Sequence, residues 1–80
     1  MDAHHLVRMV NDIASFFKSE SDHQAAIEGI AGHIRRFWDP RMRRELLRWV
    51  DEHAGEGLQP LALEALKAKR DLLMPQAMTS

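Results

Sequence analysis

Chemistry in this sequence would have to come from five histidines, twelve carboxylates and eleven lysines or arginines, because cysteine is absent. His4 and His5 are adjacent and project from different sides of a helix, while His23, His33 and His53 stand apart. No histidine pair has the i, i+4 spacing, with an accompanying carboxylate, that a helical metal site requires. His33 reads instead as a residue at the core edge, and His53 as a favourable charge at a helix C-terminus. The acids are no better arranged: Asp51 and Glu52 are neighbours, and Arg41–Glu45 and Arg48–Glu52 are i, i+4 pairs of a surface helix. No two acids are paired, no nucleophile accompanies a base, and no glycine-rich phosphate loop occurs. The expectation is a non-catalytic chain with no metal or cofactor of its own.

A denser signal lies in Ile34–Arg44, where Phe37, Trp38, an Asp39–Pro40 pair and five arginines share eleven positions. One helix must end there and another begin. Asp39 offers an oxygen to the free amides of a first turn, and Pro40 suits the first helical position. From Arg35 to Arg48 there are six arginines against Asp39 and Glu45, although the whole chain carries only −1. The near-neutral total argues against general polyanion binding. The segregation fits either a localised contact with acidic or phosphate-bearing groups or a solvated helix face. At about 100° per residue Arg41, Arg44 and Arg48 fall in a narrow arc opposite the apolar face, forming a cationic ridge. Arg43 flanks the apolar face, with its stem packed and its head free. Phe37 and Trp38 are either core residues closing the corner or aromatic anchors of an interface.

The elements that position these residues are helical. Over residues 3–19, Leu6, Met9, Val10, Ile13, Phe16 and Phe17 recur on one face, with His4, Arg8, Asn11, Ser15 and Lys18 on the other. Ser21, with Gln24 three residues on, predicts a capping box opening a second helix over 22–37. Its apolar arc is Ala26, Ile27, Ile30, Ala31, Ile34 and Phe37 or Trp38, with Gly29 and Gly32 outside the middle of it. A third helix, 40–53, buries Met42, Leu46, Trp49 and Val50, and Gly55 or Gly57 suits the left-handed turn after it. In the fourth, 60–70, Leu58, Leu61, Ala62, Leu63, Ala65, Leu66, Leu72 and Leu73 spread over more than half the circumference. So wide an arc predicts a second cover: the chain's own tail, a second copy or a different protein. The expected architecture is all-α, a small four-helix fold with short loops, one domain over 1–74 and a loose tail over 75–80. With no cysteine, no signal-like start and no run near the roughly 20 apolar residues of a membrane span, the expected setting is cytoplasmic.

The run His33-Ile34-Arg35-Arg36-Phe37-Trp38-Asp39-Pro40-Arg41-Met42-Arg43-Arg44 follows a Leu6–Phe17 stretch and precedes Gly57-Leu58-Gln59-Pro60-Leu61. Together these resemble the delta subunit of NAD-dependent, molybdenum-containing formate dehydrogenase over residues 6–67. The resemblance implies that formate is oxidised on a large alpha subunit carrying bis-molybdopterin guanine dinucleotide and iron–sulfur clusters, while smaller subunits with FMN pass electrons to NAD. A delta subunit is implied to hold none of these groups. Its implied role is to attach to the alpha subunit and support assembly, stability or cofactor insertion. Phe37 to Arg43 carry the family signature, with no catalytic role attached. A partner contact is expected at Phe37, Trp38, Arg41, Arg43, Arg44, Arg48, Leu61 and Leu66. Two rivals stand beside it: a nucleic-acid module led by the basic third helix, which the near-neutral charge disfavours, and a maturation chaperone whose arginines hold the cofactor's phosphates. Monomer and homodimer both remain open for the isolated chain.

Overall fold

Three aspartates and two prolines set where the main helices begin. In the computed structural model, which describes residues 2–75, Asp2 accepts a hydrogen bond from the His4 amide at 3.1 Å ahead of α1 (Ala3–Phe17). Asp22 accepts from the amides of Gln24 and Ala25 ahead of α2 (His23–Phe37). Asp39 accepts from the Met42 amide at 2.9 Å ahead of α3 (Pro40–His53), and both α3 and α4 (Pro60–Ala68) open on proline. Each cap satisfies first-turn donors that have no partner inside the helix. The cap of α2 is therefore Asp22 and not the expected Ser21. A carboxylate one residue nearer reaches two orphan amides at once.

The core forms where α2 packs against α1 and α4, and α1 against α3 and α4. Leu6, Val7, Val10 and Ala14 of α1 meet Ile27, Ile30, Ala31 and Ile34 of α2, Leu46, Leu47 and Val50 of α3, and Ala62, Ala65 and Leu66 of α4. Two faces are rotated from the expected ones. The buried row of α1 is Leu6–Val10–Ala14, and Phe16, about 120° round from Val10, is left outside. On α3 the buried row runs Arg43–Leu46–Leu47–Val50, and Met42 and Trp49 are only partly buried along its flank.

The α3–α4 loop is held by Asn11, which periodicity assigned to solvent, and by Trp49, which it assigned to the buried face. Left-handed backbone begins at Ala54 (φ 56°), before Gly55 (φ 70°) and Gly57 (φ 90°). Asn11 donates from Nδ2 to Gly57 O at 2.9 Å and accepts the Gln59 amide at 2.8 Å, and Trp49 Nε1 donates to Glu56 O at 2.8 Å. Beyond the loop, α4 stops at Ala68 rather than 70, because Lys69 (φ −113°, ψ 28°) breaks it. A single turn, α5 (Arg70–Leu73), follows. Lys69 pairs with Glu28 at 3.8 Å and Arg70 with Asp51 at 2.6 Å, drawing α5 back over α2 and α3. Leu73 is thereby buried and Leu72 left exposed. Ala62, Ala65 and Leu66 of the wide α4 arc are thus covered by α1, α2 and α5 of the same chain, while Leu61 and Leu63 stay half-buried.

The fold is all-α: four main helices and one short turn, with no strand among the described residues. No helix among them is long and apolar enough to cross a membrane. Of the tail expected over 75–80, residues 76–80 lie outside the described residues.

Candidate interaction surface

The elbow separates its two aromatics. Trp38 falls four residues after Ile34, continuing the buried row of α2, and its amide donates to Ile34 O at 2.9 Å. It is a core residue at 5% exposure. Phe37 falls on the flank of that row, is 67% exposed, and lies against the exposed ring of His33 at a centroid distance of 4.8 Å. His33 is therefore a surface residue and not one at the core edge.

The arginines divide in a similar way. Arg43 is only 6% exposed, and its Nη1 donates to Leu73 O at 3.2 Å. Its head was expected to be free, but α5 folds across α3 and brings a helix-terminal carbonyl to it, a placement that favours a cation. Its Nε is buried without a hydrogen-bond partner. Burial, reinforced by the charge of Arg35 and opposed by that of Asp39, holds its pKa below the ordinary arginine value. Arg41, Arg44 and Arg48 are exposed. Arg48 pairs with Glu45 at 3.5 Å and Glu52 at 3.7 Å, so Glu45 serves Arg48 and not Arg41. Arg35, Arg36, Arg41 and Arg44 make no ion pair among the described residues. Arg41 and Arg44, with Asp39 and Pro40, line a shallow hollow of about 410 Å³.

Of the expected contact residues, Phe37, Arg41, Arg44 and Arg48 thus face solvent. Leu61 is half-buried, whereas Trp38, Arg43 and Leu66 are enclosed by the fold.

Sequence reasoning missed the surface on the other side of Phe37. Phe16 is 77% exposed and meets Phe17 edge-on, centroids 5.2 Å apart. Phe17 lies across Gly29, where a Cβ would come within 2.7 Å of its Cζ and closer still to Cε1. Asp12, Ile13, Phe16, Phe17 and His33 line a hollow of about 450 Å³. A second, of about 310 Å³, shares Phe17 and His33 with it and is otherwise bounded by Glu28, Gly29, Gly32, Arg36 and Phe37. One signal was available: Phe16 lies about 120° round the helix from Val10, at the edge of the apolar arc.

Three exposed histidines make surface contacts. His23 Nε2 donates to Glu64 at 2.9 Å, joining α2 to α4. His53, in the last turn of α3, stacks on Trp49 at 4.1 Å, and His4 meets the same ring edge-on at 5.2 Å. Among the described residues no group of three or more histidines, aspartates or glutamates is placed to hold a metal ion.

Residues 5–66 match the family model of the NADH-dependant formate dehydrogenase delta subunit, FdsD. The chain belongs to this family. The matched span runs from α1 to Leu66 of α4, so the delta-subunit family covers the elbow, the arginine ridge and both aromatic hollows, while α5 lies beyond it. It agrees with the resemblance carried by residues 6–67 and gives the nucleic-acid alternative no support. No curated protein and no solved structure is significantly similar to the chain.

Proposed function

We propose that this chain is a non-catalytic subunit of a cytoplasmic formate dehydrogenase, docked on the large catalytic alpha subunit and supporting its assembly, stability or cofactor insertion. The observation that carries the proposal is the delta-subunit family match over residues 5–66. The surface supports it: an exposed Phe37 stands beside Arg36, with Arg41 and Arg44 in the next helix, and none of these cations is neutralised by a described carboxylate. In such an interface the aromatic supplies most of the affinity, and rim arginines steer and orient the partner's carboxylates. Arg41 and Arg44 suit that role better than Arg48, whose charge already serves Glu45 and Glu52. On this proposal bis-molybdopterin guanine dinucleotide, iron–sulfur clusters and FMN reside on other subunits.

The test is to express the enzyme with and without this chain and to measure molybdenum content, formate-dependent NAD reduction and thermal inactivation. Loss of at least one of the three is expected without it. An enzyme equal in all three would contradict the proposal.

A further inference from the structure

We infer that α5 is a strap that opens at Lys69 while α1 to α4 stay folded, and that the opening bares Arg43 as a seat for a carboxylate of the catalytic subunit. The strap is read from this chain alone, whereas the partner rests on the docking proposal above.

The ties that hold α5 are few and local. It is a single turn, Arg70–Leu73, set off from α4 by Lys69, whose backbone (φ −113°, ψ 28°) has left the helix. Of its four side chains only Leu73 is buried, and Asp71 and Leu72 face solvent. Its ion pairs, Lys69 with Glu28 and Arg70 with Asp51, reach partners at the surface, where such pairs add little and are screened by salt. One further tie is the hydrogen bond from Arg43 Nη1 to Leu73 O. The main helices, in contrast, share a common core to which Leu6, Val10, Ile30, Ile34, Leu46 and Leu66 all contribute. A segment with so few buried contacts opens more readily than the core it lies on.

Arg43 supplies the seat. It is almost wholly enclosed, yet α5 answers its guanidinium with one neutral carbonyl, and Nε is buried with no acceptor. A carboxylate satisfies a buried guanidinium better, because it accepts two parallel hydrogen bonds and brings the missing negative charge. Asp39, the acid whose charge reaches Arg43, is committed to the Met42 amide. The Leu73 carbonyl therefore stands where a stronger acceptor would go. Arg43 lies within the family span of residues 5–66, and the strap over it lies past that span.

Hydrogen exchange of the full chain, read by mass spectrometry, tests the strap. The amides of Leu73 and Met74, which donate to Lys69 O and Arg70 O, should exchange about a hundredfold or more faster than those of α2, at a rate unaffected by low urea. Equal protection of α5 and α2 would overturn the strap. Binding of full-chain variants to affinity-tagged catalytic subunit tests the seat. Arg70→Glu sets a like charge against Asp51, so it should loosen α5 and tighten binding about twofold to fivefold, since more of the chain is then open. Arg43→Met, which keeps the packed volume, should weaken binding about tenfold and abolish the gain from Arg70→Glu. Binding left unchanged or weakened by Arg70→Glu, or left unchanged by Arg43→Met, would overturn the seat while docking itself stands. A wild-type chain that does not bind the catalytic subunit would remove the docking proposal and the seat together, and the strap would still be decided by exchange.

Discussion

Gly32→Ala should make the free chain more stable. Gly32 lies inside α2, and a Cβ built there has no neighbour within 4 Å, so no packing penalty opposes the change. Glycine in a helix interior is less favourable than alanine by about 0.5–1 kcal/mol, chiefly through the backbone freedom it loses on folding. In a domain of this size 1 kcal/mol moves Tm by about 4–8 °C, so an increase of about 2–8 °C is expected. Gly29→Ala supplies the control, with the same helix and the same propensity gain. There the new methyl falls 2.7 Å from Phe17 Cζ, and the ring must swing off α2. Because it is the outer end of a half-buried ring that moves, the cost is smaller than in a closed core, and Gly29→Ala should gain less than Gly32→Ala. Far-UV circular dichroism melts of the three chains, with urea unfolding alongside, measure both effects. A lower Tm for Gly32→Ala, or an equal rise for Gly29→Ala, would refute the helix account.

Other predictions follow from the same contacts. Asp22→Ala should cost about 1 kcal/mol in urea unfolding and Ser21→Ala only a few tenths, because the Asp22 carboxylate caps α2. Arg43→Ala should cost about 2–4 kcal/mol, since it opens a cavity and releases the Leu73 carbonyl, whereas Arg43→Met, which keeps the volume, should cost about 1 kcal/mol or less. Equal losses for the two Arg43 variants would mean that the charge, and not the packed stem, holds α5. Arg41→Glu with Arg44→Glu should reduce co-purification with the catalytic subunit at unchanged Tm, and more than Arg48→Glu does, because Arg48 is already paired twice. Salt titration of the same binding should weaken the wild-type complex and leave the double variant less affected.

The elbow was legible because backbone chemistry is local. An Asp-Pro step can be read from two residues, and α3 begins and ends where its capping and periodicity put it. Longer-range effects were not legible. Arg43 looked like a boundary residue because nothing near it in sequence reveals that α5 will fold across α3, thirty residues on. Asn11 looked solvent-facing for the same reason, since its partners Gly57 and Gln59 belong to a distant loop. Trp38 and Phe37 could not be told apart by apolarity, only by which of them continues the Ile34 row once the elbow is set. The exposed aromatic surface was hidden by counting Phe16 toward a core face. A pattern of hydrophobic positions cannot separate a residue that the fold buries from one kept apolar for a partner. Family membership came through the elbow string, which is specific in residue identity and not merely in periodicity.

Everything functional here depends on this chain joining a larger enzyme. Native mass spectrometry of the purified catalytic subunit, with and without the 9.2 kDa chain, tests that most directly. The account predicts a complex heavier by the mass of this chain for each catalytic subunit, with formate turnover confined to the larger partner. No mass shift at micromolar concentrations of both proteins, or formate oxidation by the small chain alone, would contradict it.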